Sequence, residues 1–268
     1  VRETERLAAE VKAGKVEQPD LVLWPENSSD IDPFTNPDAR EEIEDAVKAI
    51  GVPLSVGGVV ESKDGKLYNE QILWDPKKGP TDTYDKRQIQ PFGEYIPLRG
   101  FIGMLSSDIE KVRQDFSRGS EPGVFTMAGT KVGIATCYEA AFDWAVRDTV
   151  TNGAQIISVP SNNATFDRSE MTYQQLAMSR IRAVEHSRAV AVPVTSGVSA
   201  VIMPDGDVVA KTTWFTADSL VEEVPLRSSR TPATRLGVLP EGILVLIAAG
   251  GLGWAVTSAA RTRRTAGK

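Results

Sequence analysis

A chain of 268 residues with 41% apolar and 25% charged residues can bury a substantial core, which excludes extended disorder. Its formal net charge of −6 argues against nucleic acid as the main partner, because phosphate binding calls for a basic face. The single cysteine, Cys137, excludes an internal disulfide and a cysteine zinc cluster, and leaves a reactive thiol or a buried structural one.

The predicted elements alternate short β-rich runs with longer helical ones. Residues 1–15 are charged and helix-prone, without the apolar run of a signal peptide or an initial Met, so we expect a fragment of a longer protein. Strands are predicted at 21–24, 52–60, 67–74, 131–136, 155–159, 190–195, 198–203 and 208–214, with a hairpin turn at 204–207. Helices are predicted at 37–50, 138–150 and 170–186, the last with Leu176, Ile181 and Val184 on roughly one side. This alternation predicts an α/β layered domain.

The C-terminal segment differs from the rest of the chain. Residues 242–260 contain no charge, and this length is close to the ~20 residues that cross a hydrocarbon core. We therefore predict one compact domain at 1–228, a linker at 229–241, a transmembrane helix at 242–260 and a basic tail at 261–268. A buried core helix is the alternative. The basic tail favours a cytoplasmic C-terminus, which predicts a domain on the outer side of the membrane.

Cys137 lies where the strand 131–136 gives way to a helix. A nucleophile at such a turn projects into the open end of a sheet, where backbone N–H groups can stabilise a thiolate or an oxyanion. A buried small apolar side chain is the alternative, and position alone leaves both open.

A reactive thiol needs a base, and carboxylates are better placed for this than the only histidine. His186 lies in a charged helical stretch that is typical of a surface or packing residue. Glu26 ends the strand 21–24, at an end of the sheet that Cys137 can share, and Glu94 and Glu139 have apolar or aromatic neighbours that raise a carboxyl pKa. Lys86 can supply positive charge to an oxyanion, although an isolated lysine is usually exposed. No metal-ligand spacing is evident.

Three of these residues lie in segments that resemble the carbon–nitrogen hydrolase (nitrilase) superfamily. The segments are Leu-Trp-Pro-Glu-Asn at 23–27, Tyr-Asp-Lys-Arg at 84–87 and Gly-Ile-Ala-Thr-Cys-Tyr-Glu at 133–139, in the family's order. The resemblance implies an α-β-β-α sandwich and a catalytic set of Glu26, Lys86 and Cys137 that needs no cofactor.

Two further features resemble one branch, the apolipoprotein N-acyltransferases. They are Pro-Phe-Gly-Glu-Tyr-Ile-Pro at 91–97 and the apolar segment after the domain. The branch implies transfer of a fatty acyl chain from a phospholipid to the α-amine of a diacylglyceryl apolipoprotein, through a thioester on Cys137. Glu94, Tyr138 and Glu139 are then supporting residues around the nucleophile and Lys86. Phe101 and Leu105 are either a lid dipping into the membrane interface or a small buried cluster under a loop.

One segment departs from the branch, which commonly has Asp-Ala-Trp-Phe-Gly where this chain has Ser-Asn-Asn-Ala-Thr-Phe-Asp at 161–167. This departure predicts altered substrate contacts and an actinobacterial relative, in which a polyprenol-phosphate mannose synthase can be a partner. Two other functions remain open. One is a soluble amidase that uses the same three residues, and the other is a non-catalytic membrane scaffold for a partner enzyme.

Overall fold

The computed structural model describes residues 1–102, 112 and 114–266, with side chains at 1–100, 112 and 114–258. The helices are α1 Arg2–Lys12, α2 Pro37–Ile50, α3 Arg99–Ile102, α4 Asp143–Thr151, α5 Met171–His186, α6 Pro232–Leu236 and α7 Leu239–Ala266. The strands are β1 Val22–Leu23, β2 Leu54–Glu61, β3 Leu67–Asp75, β4 Gly79–Asp85, β5 Gly123–Met127, β6 Thr130–Ile134, β7 Ile156–Ser158, β8 Val190–Val192, β9 Ala200–Ile202 and β10 Val208–Lys211.

In the described part of the chain these strands form two sheets. The first has the order β1-β2-β3-β4, with β1 parallel to β2 and the other pairs antiparallel. The second has the order β10-β9-β8-β7-β6-β5, with a parallel centre of β6, β7 and β8 and antiparallel strands on both sides. The parallel strands leave their carboxyl ends at one edge, where side chains from distant parts of the sequence can meet.

Because alternate residues of a strand face opposite sides of its sheet, the apolar side chains form three layers. On β3, Ile72 and Trp74 pack with Ile43 and Val47 of α2, on the outer face of the first sheet. Leu73 points the other way and belongs to the layer between the sheets, which also contains residues of β5 and β6. The outer face of the second sheet packs against α4 and α5. The result is an α-β-β-α sandwich, which confirms the predicted fold.

Local signals explain the elements that the sequence predicts well. Helix α2 has the predicted bounds, because the Asn36 side chain accepts a hydrogen bond from Ala39 N at 3.0 Å, Pro37 begins the helix, and Gly51 ends it in the left-handed region. The hairpin between β9 and β10 turns at Gly206, whose φ is 91°. Strands β4 and β5 were not predicted, because their sequences lack a long apolar run.

The predicted helix at 138–150 is interrupted. A 3-10 helix spans Cys137–Ala141, Phe142 is extended, and α4 begins at Asp143. The apolar positions noted on α5 do not form one buried side: Leu176 is buried, whereas Ile181 and Val184 are 61% and 54% exposed. The physical reason is that these three positions spread over roughly 140° of a helix that turns 100° per residue. The buried side of α5 instead carries several polar residues.

The C-terminal helix α7 begins before the predicted bound of 242 and continues beyond the predicted bound of 260, to Ala266 in the predicted basic tail. Among the described residues, one helix is long and apolar enough to cross a membrane, over Leu239–Ser258, with a mean hydropathy of 1.7. The predicted linker at 229–241 contains α6, which is held on the domain by Thr234. Its hydroxyl lies 2.9 Å from His186 Nδ1, and its carbonyl accepts a hydrogen bond from Arg147 Nε at 2.7 Å. The apolar helix therefore leaves the sandwich beside the C-terminal end of α5.

Candidate active site

Three chain segments bring Glu26, Lys86 and Cys137 to one edge of the sandwich. Glu26 follows β1, Lys86 follows β4, and Cys137 comes after β6. All three side chains are buried, with 4%, 1% and 5% of their surface exposed. The burial of Lys86 corrects the expectation of an exposed lysine, because two carboxylates take the place of its hydration.

The backbone presents the sulfur of Cys137. Its φ of 53° lies in the left-handed region, which costs free energy for a residue with a side chain. The peptide is held there because Cys137 N donates to Pro160 O at 2.8 Å. The sulfur accepts a hydrogen bond from Gln175 Nε2 at 3.3 Å. The conformation therefore aims the side chain back into a polar, buried cluster.

The charged part of this cluster is a lysine between two carboxylates. Lys86 Nζ lies 2.8 Å from Glu26 Oε1 and 3.0 Å from the carboxylate of Glu94. Asn69 Nδ2 donates to the same two groups, at 2.6 Å to Glu26 and 2.5 Å to Glu94. The second oxygen of Glu26 accepts a hydrogen bond from Asn162 N at 2.8 Å. Each carboxylate is thus held by several donors, which fixes its position.

The charges of the cluster set the protonation of its members. Burial lowers the pKa of Lys86, but the nearby Glu26, Cys137 and Glu94 outweigh this and leave that pKa above its ordinary value. Burial, with the negative charge of Glu26, raises the pKa of Cys137 to about 12, although Lys86 acts in the opposite direction. In the resting cluster the thiol of Cys137 is therefore neutral and the amine of Lys86 is an ammonium.

Glu139 lies outside this charged cluster and accepts hydrogen bonds from backbone N–H groups. It is fully buried, and its carboxylate accepts from Arg87 N at 2.8 Å, Gln88 N at 3.0 Å and Thr136 N at 2.7 Å. The hydroxyl of Tyr84 donates to it at 2.8 Å. Burial raises the pKa of Glu139, and the backbone N–H donors partly oppose that rise. Glu139 therefore ties the segment that carries Lys86 to the segment that carries Cys137.

Tyr138 stands at the start of a row of aromatic rings. Its ring meets that of Phe142 edge to face, with centroids 5.0 Å apart, and Phe142 lies 6.3 Å from Trp144. This places a partly exposed apolar wall next to the nucleophile, and a role of Tyr138 in substrate binding stays a prediction. The predicted lid residues, Phe101 and Leu105, lie outside the residues whose side chains the structure describes.

His186 is a packing residue. It is completely buried and pairs with Thr234, and burial lowers its pKa to about 4, so the ring is neutral at pH 7. In the described part of the chain, no group of three or more His, Cys, Asp and Glu side chains is placed to hold a metal ion.

Three contributors to the site escaped the sequence reasoning. Asn69 bridges two carboxylates, Gln175 touches the sulfur, and the segment 160–162 contacts both Cys137 and Glu26. A polar run at 69–71 within an apolar strand was an available signal for Asn69, since a buried polar residue needs partners. No comparable signal marks Gln175, which follows another glutamine on the same helix.

Known proteins share sequence with most of this chain. The family profile described as carbon–nitrogen hydrolase matches residues 2–232. A protein of Mycolicibacterium smegmatis named apolipoprotein N-acyltransferase is 48% identical over 251 residues, which are 92% of this chain and 42% of that protein. One of the same name from Chromobacterium violaceum is 34% identical, over 76% of this chain and 40% of that protein. This chain thus spans less than half the length of these two relatives.

Solved structures show the shared fold. An amidase from Nesterenkonia sp. superposes with a TM-score of 0.58 and 19% sequence identity, and the match covers 80% of each chain. At that level of identity the likeness concerns architecture alone.

Proposed function

Because this chain belongs to the carbon–nitrogen hydrolase family, we propose that it is the catalytic part of an apolipoprotein N-acyltransferase. The reaction moves a fatty acyl chain from a phospholipid to the α-amine of a diacylglyceryl apolipoprotein. The observation that carries the proposal is the buried Lys86 ammonium, 2.8 Å from Glu26 in the same cluster as the Cys137 thiol. The relatives named apolipoprotein N-acyltransferase and the apolar helix support a lipid substrate.

In the first half-reaction the sulfur of Cys137 attacks the ester carbonyl of the phospholipid, and Glu26 takes the thiol proton. The carbonyl oxygen becomes an oxyanion beside Lys86 Nζ and the backbone N–H of Tyr138, and each such donor is typically worth a few kcal/mol. The intermediate then expels the alkoxide of the lysophospholipid, which receives the proton from Glu26. A thioester remains on Cys137.

The charge of the cluster explains why the proton moves only during attack. Two carboxylates and one ammonium leave a net charge of −1, so a free thiolate would add a second negative charge in a buried site, consistent with a Cys137 pKa of about 12. When Glu26 takes the proton while the oxyanion forms, the net charge of the cluster stays at −1. The site therefore favours concerted transfer over a resting thiolate.

In the second half-reaction the α-amine of the acceptor attacks the thioester carbonyl. Glu26 takes a proton from the attacking nitrogen, the carbon–sulfur bond breaks, and the leaving sulfur receives that proton from Glu26. The products are an amide and the free thiol, and the two halves imply ping-pong kinetics.

The apolar helix supports a place in the membrane. Leu239–Ser258 follows α6, so the helix would hold the domain at the membrane that contains its lipid substrates. We propose that the domain lies on the outer face of the cell membrane, because basic residues follow the apolar span Leu239–Ser258. A polyprenol-phosphate mannose synthase as partner stays a prediction.

The test is to incubate the full chain with phospholipid micelles and to measure its intact mass. We expect an added acyl mass that hydroxylamine removes, and that is absent from Cys137→Ala. A folded chain that stays unacylated would contradict the proposal. A soluble amidase has no use for the apolar helix, and a scaffold would retain its cellular function in Cys137→Ala.

A further inference from the structure

Gln175 is the one described side chain, apart from the charged cluster, that donates a hydrogen bond to the sulfur of Cys137. Its Nε2 lies 3.3 Å from the sulfur and 2.9 Å from Ser161 Oγ, and the side chain is 7% exposed. We propose that Gln175 is a positioning residue, which holds the sulfur for attack and stabilises the negative charge that the sulfur carries during the reaction. This inference rests on the proposed thioester chemistry at Cys137.

Ser161 determines which end of the Gln175 amide faces the sulfur. The hydroxyl of Ser161 donates its only proton to Val159 O, at 3.1 Å, so toward Gln175 it can only accept. The group facing Ser161 must then be the NH₂ of Gln175, and the second hydrogen of the same nitrogen is free for the sulfur. The order of donors and acceptors from Val159 to Cys137 is therefore determined by hydrogen-bond chemistry.

The segment around Ser161 also holds the other parts of the site. Pro160 O accepts from Cys137 N at 2.8 Å, and Asn162 N donates to Glu26 at 2.8 Å. Three successive residues thus contact the backbone of the nucleophile, the amide that touches its sulfur, and the carboxylate that takes its proton.

The charge of the site makes such a donor useful. Burial and Glu26 both disfavour a negative sulfur, and Gln175 acts with Lys86 in the opposite direction. The N–H group meets a negative sulfur when the thiol is deprotonated, and again when the thioester breaks and sulfur leaves. A hydrogen bond is stronger to an ionised acceptor than to a neutral one, so both steps gain from it.

The rates of acylation and of alkylation of Cys137 distinguish a positioning role of Gln175 from an effect on the acidity of the thiol alone. Removing one donor should raise the pKa of Cys137 further. The thiolate fraction then falls about 3- to 10-fold, but each thiolate becomes more nucleophilic, so alkylation by iodoacetamide should slow only about 2- to 4-fold. Acylation also requires a correctly placed sulfur, and a misplacement of about 1 Å costs up to roughly 100-fold. Acylation should therefore fall further than alkylation.

The experiment compares Gln175→Met with Gln174→Met, a matched control at the exposed neighbouring position. Both are measured in the full chain, by the burst of p-nitrophenolate from p-nitrophenyl butyrate and by iodoacetamide alkylation. We expect Q175M to slow the burst at least 10-fold and alkylation about 2- to 4-fold, and Q174M to change neither. A burst within twofold of the unaltered chain, or an equal fall in both rates, overturns the proposal.

A second variant keeps the test decisive if Q175M does not fold. Ser161→Ala removes the acceptor that orients the amide, together with the hydroxyl's own bond to Val159 O, and we expect it alone to slow the burst at least 3-fold. If Q175M folds, the double variant should show no further loss. An unchanged burst in S161A, or additive losses in the double variant, overturns the proposal. These rates need no phospholipid, so a failure of phospholipid acylation in the unaltered chain would count against the proposed function alone.

Discussion

Replacing Glu139 by Gln should uncouple the segment of Lys86 from that of Cys137. The carboxylate accepts hydrogen bonds from the backbone N–H groups of Arg87, Gln88 and Thr136, and a Gln side chain has only one accepting oxygen. If that oxygen stays with Arg87 and Gln88, the amide nitrogen faces the N–H of Thr136 and leaves it without an acceptor. The hydrogen bond from Thr136 N to the side chain at position 139 is then lost.

The size of the effect follows from these contacts. An unsatisfied buried N–H costs about 1–3 kcal/mol, and the remaining bonds weaken because their acceptor is neutral. The opposing effect is that Gln avoids burying a charge, a burial that raises the pKa of Glu139. We expect a net loss of about 2–3 kcal/mol, or a fall in Tm of roughly 5–10 °C at this chain length.

Thermal unfolding in detergent and the p-nitrophenyl butyrate burst measure the two consequences. The burst should fall by about 100-fold, because Lys86 moves relative to Cys137. The matched control is Tyr84→Phe, which removes the hydroxyl donor at 2.8 Å and leaves every backbone bond to Glu139. It should cost about 1 kcal/mol and leave the burst nearly unchanged. An E139Q chain with unaltered Tm and burst, or a larger loss in Y84F, would refute this reasoning.

Three further perturbations have defined outcomes. Lys86→Met leaves the buried carboxylates of Glu26 and Glu94 without a cation, so denaturant unfolding should show a loss of about 3–5 kcal/mol, and a loss below about 1 kcal/mol would contradict this. Burial, with Asp85 opposite it on β4, raises the pKa of Glu70 from 4.5 to about 8. The contribution of Glu70 to stability is therefore complete below pH 4.5 and is lost as the pH rises toward 8. Glu70→Gln should therefore raise the Tm at pH 9 and change it little at pH 5; a pH-independent change would be inconsistent with the raised pKa. A chain that ends at Gly237 should stay in solution without detergent and keep the burst with p-nitrophenyl butyrate, but it should no longer be acylated by phospholipid vesicles. Sedimentation with vesicles and intact mass measure these outcomes. A full chain that does not sediment with vesicles would argue against the membrane helix.

Local sequence determined the elements whose signals lie within a few residues. Helix α2 has its cap, its proline and its terminal glycine in one stretch of sequence, and its bounds were predicted correctly. The apolar C-terminal helix was visible for a similar reason, since composition over about 20 residues decides it. Glu26, Lys86 and Cys137 were found through three short segments that resemble one family, and their catalytic roles remain proposals.

The interior of α5 shows where local pattern fails. Apolar residues at 176, 181 and 184 suggested one buried side, but the sandwich buries Gln175 and His186 and leaves Ile181 exposed. A polar side chain can be buried only if a partner meets it, and the partners of Gln175 and His186 are Cys137 and Thr234, 38 and 48 residues away along the chain.

For the same reason, the sequence and the tertiary structure decided different properties of the site. Sequence identified the chemical groups, a thiol, a carboxylate and an amine, because each is a property of one residue. Tertiary structure decided that Lys86 is buried, that Asn69 joins two carboxylates and that an amide meets the sulfur. Asn69 is 43 residues from Glu26 along the chain, and Lys86 is 60 residues from it, so only the fold brings these atoms together. Burial and charge are properties of the whole fold, and no short stretch of sequence contains them.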